Sequence, residues 1–133
     1  MSTKKERNDQ MAWILDGDRP IYAQIIDEIR MRIIAGIYAP GDKIPSVREL
    51  ASEASVNPNT MQKALSELER GGLISTMRTS GRTVTEDKKM IEDMKNKLAT
   101  EQITLFFEKM KQYGFSNEET VELIQKAAKG EKA

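Results

Sequence analysis

Apolar positions along the chain change their spacing in a way that marks out successive elements. From Pro20, isoleucines at 25, 29 and 33 recur every four residues, and Tyr22, Ile26 and Ile34 widen the stripe. That recurrence places all six on one side of a helix, so the pattern predicts a first long helix closed by Gly36. Pro40-Gly41 then marks a turn, and Pro45 prevents helix before Ser46. Ser46 precedes Glu49 by three residues, the spacing of a capping box, so a second helix starts at Val47 with Leu50, Ala51 and Ala54 on its inner face. Ser55-Val56-Asn57 interrupts that helix. A third begins with Asn57 as N-cap and Pro58 at its first position, buries Met61, Leu65 and Leu68, and ends at Gly71-Gly72. Leu73–Arg78 and Arg82–Val84, separated by Thr79-Ser80-Gly81, read as a β-hairpin.

After Thr85 the pattern changes. Residues 86–113 contain no proline or glycine and carry Ile91, Met94, Leu98, Ile103, Leu105, Phe106, Phe107, Met110 and Tyr113, which suits one long amphipathic helix, narrow in its apolar seam early and wide late. Gly114 breaks it. Ser116 and Glu119 repeat the capping-box spacing ahead of Val121, Leu123, Ile124, Ala127 and Ala128, predicting a last helix that folds back as a hairpin. At the other end, Met1–Gln10 is polar and charged and reads as a mobile tail. The apolar run Met11–Leu15 reads as a short strand or extended arm, with Trp13 packing on the domain or across a dimer in preference to binding a ligand. The expected fold is mainly α with a small β-wing. It divides into a tail (1–10), a winged helix–turn–helix (11–85) and a helical dimerisation extension (86–133).

Charge narrows the function without assigning it. The 133 residues carry 21 basic and 21 acidic side chains, so no global positive field draws the chain to nucleic acid. Between Lys43 and Arg82 six basic residues face four acidic ones, a small local excess that predicts weak non-specific DNA binding and a need for two half-sites. With no histidine and no cysteine, the commonest general base, the commonest metal ligand and thiol chemistry are all missing, so neither an enzyme, a metal nor a cofactor is expected. Apolar runs fall short of the roughly 20 residues needed to span a membrane, and no signal-peptide core is read near Met1, so the expected location is the cytoplasm.

The polar face of the third helix offers chemistry instead. Asn59, Thr60 and Lys63, with Gln62 and Ser66 nearby, supply amide, hydroxyl and ammonium groups suited to base edges and phosphates, and the helix N-terminus adds free amides. Arg48 can reach the same backbone, and Arg78 and Arg82 flank the hairpin turn. Two helices of this kind are also common as plain packing elements; the basic hairpin that follows them tips the reading toward a winged DNA-binding surface. The candidate contact set is Ser46, Arg48, Asn57, Pro58, Asn59, Thr60, Gln62, Lys63, Arg78, Ser80, Gly81 and Arg82.

The run from Pro20 to Ser75, and in particular the segments PGDKIPSVREL and VNPNTMQKAL, resembles the winged helix–turn–helix domain of the GntR family of bacterial regulators, most closely its YtrA-type members with a short helical C-terminal extension. The resemblance implies a dimer that binds a palindromic double-stranded operator and represses transcription, with DNA contacts from Arg48, Asn59, Thr60, Lys63 and the wing around Gly81. The wing departs from the family pattern: Arg82 and Thr83 stand where a threonine and a phenylalanine are usual. Ile91, Met94, Leu98, Ile103, Phe106, Phe107, Met110, Val121 and Ile124 are the expected dimerisation residues, since a two-helix hairpin cannot cover them alone. The Phe and Met cluster has a second reading, as the lining of a pocket for an unidentified small-molecule effector, and the dimer core is preferred to it. A protein-interaction module without specific DNA binding is the alternative function.

Overall fold

The computed structural model describes residues 12–78 and 81–130. The tail Met1–Gln10, Met11 and the turn residues Thr79 and Ser80 lie outside the described residues. Helix α1 spans Ile21–Ile34, α2 Val47–Ala54 and α3 Pro58–Arg70; strands β1 (Ile74–Met77) and β2 (Gly81–Val84) follow, then α4 (Lys88–Gln112) and α5 (Asn117–Ala128). The chain separates into two compact units, residues 1–92 and 93–133.

In the first unit the apolar periodicity becomes a core. Ile25, Ile29 and Ile33 of α1 are buried with Leu50, Ala51 and Ala54 of α2 and Met61, Ala64, Leu65 and Leu68 of α3. α3 is the central element, packed against α1, α2 and β1. Local chemistry sets the boundaries of α2 and α3. Ser46 and Glu49 complete the capping box of α2, and Ser55 takes a left-handed conformation (φ 57°) that ends it. Asn57 caps α3 and Pro58 opens it, as the sequence predicts. The turn between the two helices is therefore fixed from both sides.

β1 and β2 pair antiparallel, Ile74 opposite Val84 and Met77 opposite Gly81. Only Ile74 and Val84 enter the core, so the hairpin is rooted at its base and projects beyond it. A third stretch joins this small sheet. Lys43 forms a bridge with Thr83, the Ile44 N–H donates to the Arg82 carbonyl (3.0 Å), and the Val84 N–H donates to the Asp42 carbonyl (2.8 Å). The loop before α2 is thus fastened to the wing.

Residues 12–16 form an extended arm without strand pairing. The Gln24 side chain holds it, donating to the Asp16 and Arg19 carbonyls (2.8 and 2.9 Å) and accepting from the Asp16 N–H (2.9 Å). Trp13 packs on the domain, as one of the two expected placements has it, and its indole N–H donates to Glu53 of α2 at 3.0 Å. Beneath it lies a residue the apolar pattern did not single out: Arg32 of α1 is fully buried among the isoleucines.

In the second unit, α4 and α5 are joined through Gly114, whose φ is +96°. Ser116 and Glu119 form the second expected capping box, and Thr120 is buried with its hydroxyl donating to the Ser116 carbonyl at 2.8 Å. No residue of α4 is fully buried. Among the described residues, no helix is long and apolar enough to cross a membrane.

Candidate nucleic-acid interface

α3 presents its N-terminus and one polar face outward, opposite the buried Met61–Leu68 stripe. The candidate residues divide here into those that build the tip and those that it displays. Asn57 builds it: its side-chain oxygen accepts from the Asn59 N–H at 2.7 Å, so this amide is spent on starting the helix. Pro58 fixes the first turn and is itself exposed. Ser46 has the same role in α2, its hydroxyl accepting from the Glu49 N–H (3.1 Å) while its own N–H donates to Glu49 Oε1 (3.2 Å). That exchange, first the backbone bond and then the hydroxyl, with Lys43 adding attraction, holds the Glu49 carboxyl below its usual range.

Asn59, Gln62 and Lys63 are displayed, and their surroundings differ. Asn59 is exposed. Gln62 donates to the Ser66 hydroxyl at 3.1 Å, which fixes the orientation of its amide. The Lys63 ammonium sits 3.9 Å from the centre of the Tyr22 ring, so α1 steadies it from the side. Thr60 is half-buried and turns toward the arm, where it lines a cleft of about 470 Å³ with Trp13, Leu15, Ile21, Val56 and Asn57.

The wing side is more crowded than two arginines flanking a turn would suggest. Arg78 is exposed. Arg82 is not: its side chain is 18% accessible and its Nε lies 3.9 Å from Glu69 Oε1, within electrostatic reach but too far for a hydrogen bond. The Glu69 carboxylate also accepts from the Thr76 hydroxyl, and the buried Arg82 Nε has no hydrogen-bond partner. Gly81 takes a φ of +74°, a backbone conformation that suits glycine at the hairpin turn. Ser80 lies outside the described residues.

The fold brings Arg48, Gly81 and Arg82 together with Lys43, Ser46, Glu49 and Thr76 around one cleft of about 480 Å³. It leaves Asn59, Gln62 and Lys63 on the separate exposed face of α3. The roles of Lys43, Tyr22 and Glu69 at the site were not legible in the sequence, because each acts through a partner distant along the chain: Thr83, Lys63 and Arg82 respectively. Among the described residues no group of carboxylates is arranged to hold a metal ion.

A helix–turn–helix with a projecting hairpin, polar at the tip of its third helix and basic where the hairpin meets the second, defines a winged helix–turn–helix DNA-binding protein. Comparison with known proteins places it further. Residues 21–84 match the model for bacterial regulatory proteins of the gntR family. The chain is similar to the HTH-type transcriptional regulator YhcF of Bacillus subtilis (strain 168), with 41% identity over 112 residues that cover 84% of this chain and 93% of the relative. It is also similar to the HTH-type transcriptional repressor YtrA of the same organism, with 51% identity over 70 residues, 53% of this chain and 54% of that one. Among solved structures, a GntR family transcriptional regulator from Listeria monocytogenes superposes with a TM-score of 0.77 at 40% identity, covering 84% of this chain and 98% of the other. The DNA-binding domain of AraR in complex with operator ORX1 superposes with a TM-score of 0.51 at 31% identity, over 54% of this chain and 93% of that one. The chain belongs to the GntR family, and it is a DNA-binding transcriptional regulator and not an enzyme.

Proposed function

We propose that this regulator is a homodimeric repressor that binds a palindromic double-stranded operator. The observation that carries this is the meeting of Arg48, Gly81 and Arg82 at the junction of α2 and the wing, beside a third helix whose outward residues are polar. In this reading α3 enters the major groove, where Asn59 and Gln62 reach base edges and Lys63 a phosphate or a guanine. Arg48 and the wing hold the flanking backbone, and Asn57, Pro58 and Ser46 keep the two helix tips in place. The similarity to the repressor YtrA and to the operator-bound AraR domain supports repression and operator binding.

Dimerisation is supported by what the second unit leaves uncovered. Ile103, Leu105, Phe106, Val121 and Ile124 are all at least 40% exposed. A second copy would cover them, and would set two recognition helices about one DNA turn, roughly 34 Å, apart. Phe107 and Met110 lie on the same side of α4 as Ile103 and Phe106, Met94 and Leu98 lie on another, and Ile91 lies in the first unit. An effector, if one acts, would bind where the Phe and Met side chains meet the partner. The protein would work in the cytoplasm, where its operator is, without a cofactor.

The test is selection of binding sites from random-sequence DNA with the full chain, followed by anisotropy titration of the recovered duplex. An inverted repeat that takes two subunits with high affinity, against weak salt-sensitive binding to unrelated DNA, is the expected result. Equal, weak binding to every sequence would move the protein-interaction module ahead of the repressor.

A further inference from the structure

The cleft between the loop before α2 and the wing contains a basic residue that neither the tip of α3 nor the turn accounts for. Lys43 is exposed, and its stem passes Gly81 at the start of β2: a Cβ built there would lie 3.5 Å from Lys43 Cε. Its position is not that of a free loop lysine. The bridge to Thr83 and the hydrogen bonds on either side, from Ile44 N–H to Arg82 O and from Val84 N–H to Asp42 O, fasten its backbone to β2.

We propose that Lys43 contacts a backbone phosphate of bound DNA at this cleft, in addition to the one that Arg48 reaches. The proposal rests on the DNA-binding reading above and adds a residue to it. Three cations line the cleft, and Glu49 is its one acidic lining residue. That carboxylate already accepts the Ser46 N–H, which fixes it at the start of α2. Arg82 is already within electrostatic reach of Glu69, its buried Nε 3.9 Å from Glu69 Oε1, so Lys43 and Arg48 are the two exposed cations of the cleft. Phosphodiesters supply acceptor oxygens and negative charge to the two exposed cations, an ammonium and a guanidinium. The contact is with the backbone, so Lys43 would contribute affinity and register and not choice of base.

Salt dependence reads such a contact directly. Each phosphate neutralised adds about 0.9 to the magnitude of the slope of log affinity against log salt concentration. The experiment is titration of the duplex recovered by selection with wild type, Lys43→Gln, Lys43→Arg and Lys129→Ala, between about 50 and 200 mM salt. Lys43→Gln is expected to lower the slope by close to one unit, so that its binding deficit relative to wild type shrinks by about 3.5-fold across that range. Lys43→Arg, which keeps the charge on the same backbone anchor, restores the slope. Lys129→Ala, an exposed lysine of the second unit, leaves it unchanged. A wild-type slope retained by Lys43→Gln, with tight operator binding intact, overturns the proposal while leaving the repressor reading standing. An equal fall in Lys129→Ala also overturns it, because the effect would then be one of net charge. Failure of the wild type to bind any selected duplex removes the repressor reading itself.

Discussion

Arg32 is the residue that departs most from what its neighbours in the sequence imply. It sits among isoleucines in α1, is fully buried, and keeps its charge. Its guanidinium lies 4.4 Å from the centre of the Trp13 ring and 5.9 Å from that of Tyr38. Its Nε donates to Glu28 at 3.0 Å, and its Nη1 donates to Glu53 at 2.8 Å and to the Tyr38 hydroxyl at 3.1 Å. Burial works against the charge, but the bonds to Glu53, Tyr38 and Glu28 outweigh it and raise the pKa above the ordinary arginine value. One side chain thus ties the arm, α1 and α2 together. Arg32→Ala leaves two carboxylates facing an empty site; because both keep some contact with water, the expected loss is near the lower end of the range for breaking a buried pair, about 3 kcal/mol. Urea unfolding followed by Trp13 emission measures it, and a loss below 1 kcal/mol would mean that the cluster adds little to stability. The sequence could not announce this. Glu28 and Arg32 have the spacing of any exposed helical pair, and Glu53 and Trp13 are brought in only by tertiary folding.

At the scale of elements, what was legible is what is local. Capping boxes at Ser46 and Ser116, the Asn57-Pro58 start of α3 and the four-residue recurrence of α1 all act within one turn of chain, and each appears where the sequence predicts it. The wing was legible as a hairpin, but its third stretch at residues 42–44 was not, because Lys43 finds Thr83 across forty positions. The same split governs the expected effects of substitution on α2 and α3. Arg48 is exposed on the first turn of α2, so Arg48→Ala should weaken operator binding and leave the melting temperature unchanged. Lys63 rests on Tyr22, so Lys63→Ala should weaken binding and also cost about 0.5 kcal/mol of stability, the size of an exposed cation–π contact. Calorimetry beside anisotropy separates the two, and unchanged affinity in both variants would remove them from the interface. The capping boxes add a pH dependence whose sign follows from the lowered pKa of Glu49 and Glu119, set first by the backbone amides of Ser46 and Ser116. A carboxylate more acidic when folded stabilises above its unfolded pKa, and the gain disappears as pH falls through the lowered folded value. Helical circular dichroism should therefore fall more steeply in acid for the wild type than for a Glu49→Gln, Glu119→Gln double variant; coincident acid profiles would show that the boxes are not coupled to folding.

For the whole molecule, the question is what covers the apolar face of residues 93–133. The sequence made the stripe of Ile103, Phe106 and Ile124 legible, because spacing alone sets a helix face, but a stripe does not name its occupant. In the single chain Phe106 and Phe107 stack edge to face with ring centres 6.2 Å apart, and yet Phe106 remains 44% exposed beside Ile103 at 55% and Leu105 at 57%. At about 25 cal/mol per Å² of apolar surface removed from water, burying several such side chains in each of two copies favours association. Binding of two linked half-sites would then supply the affinity that a chain of zero net charge cannot draw from long-range attraction. Phe106→Glu places a charge in the middle of that face without touching the first unit's core. Sedimentation should show a dimer for the wild type and a monomer for the variant, with helical content kept. Affinity for the inverted-repeat duplex should fall about 100-fold or more, the lower bound of what joining two sites contributes. Affinity for a single half-site should not change. A Phe106→Glu protein that still sediments as a dimer would place the interface elsewhere, and a monomer that keeps full operator affinity would separate dimerisation from DNA binding altogether.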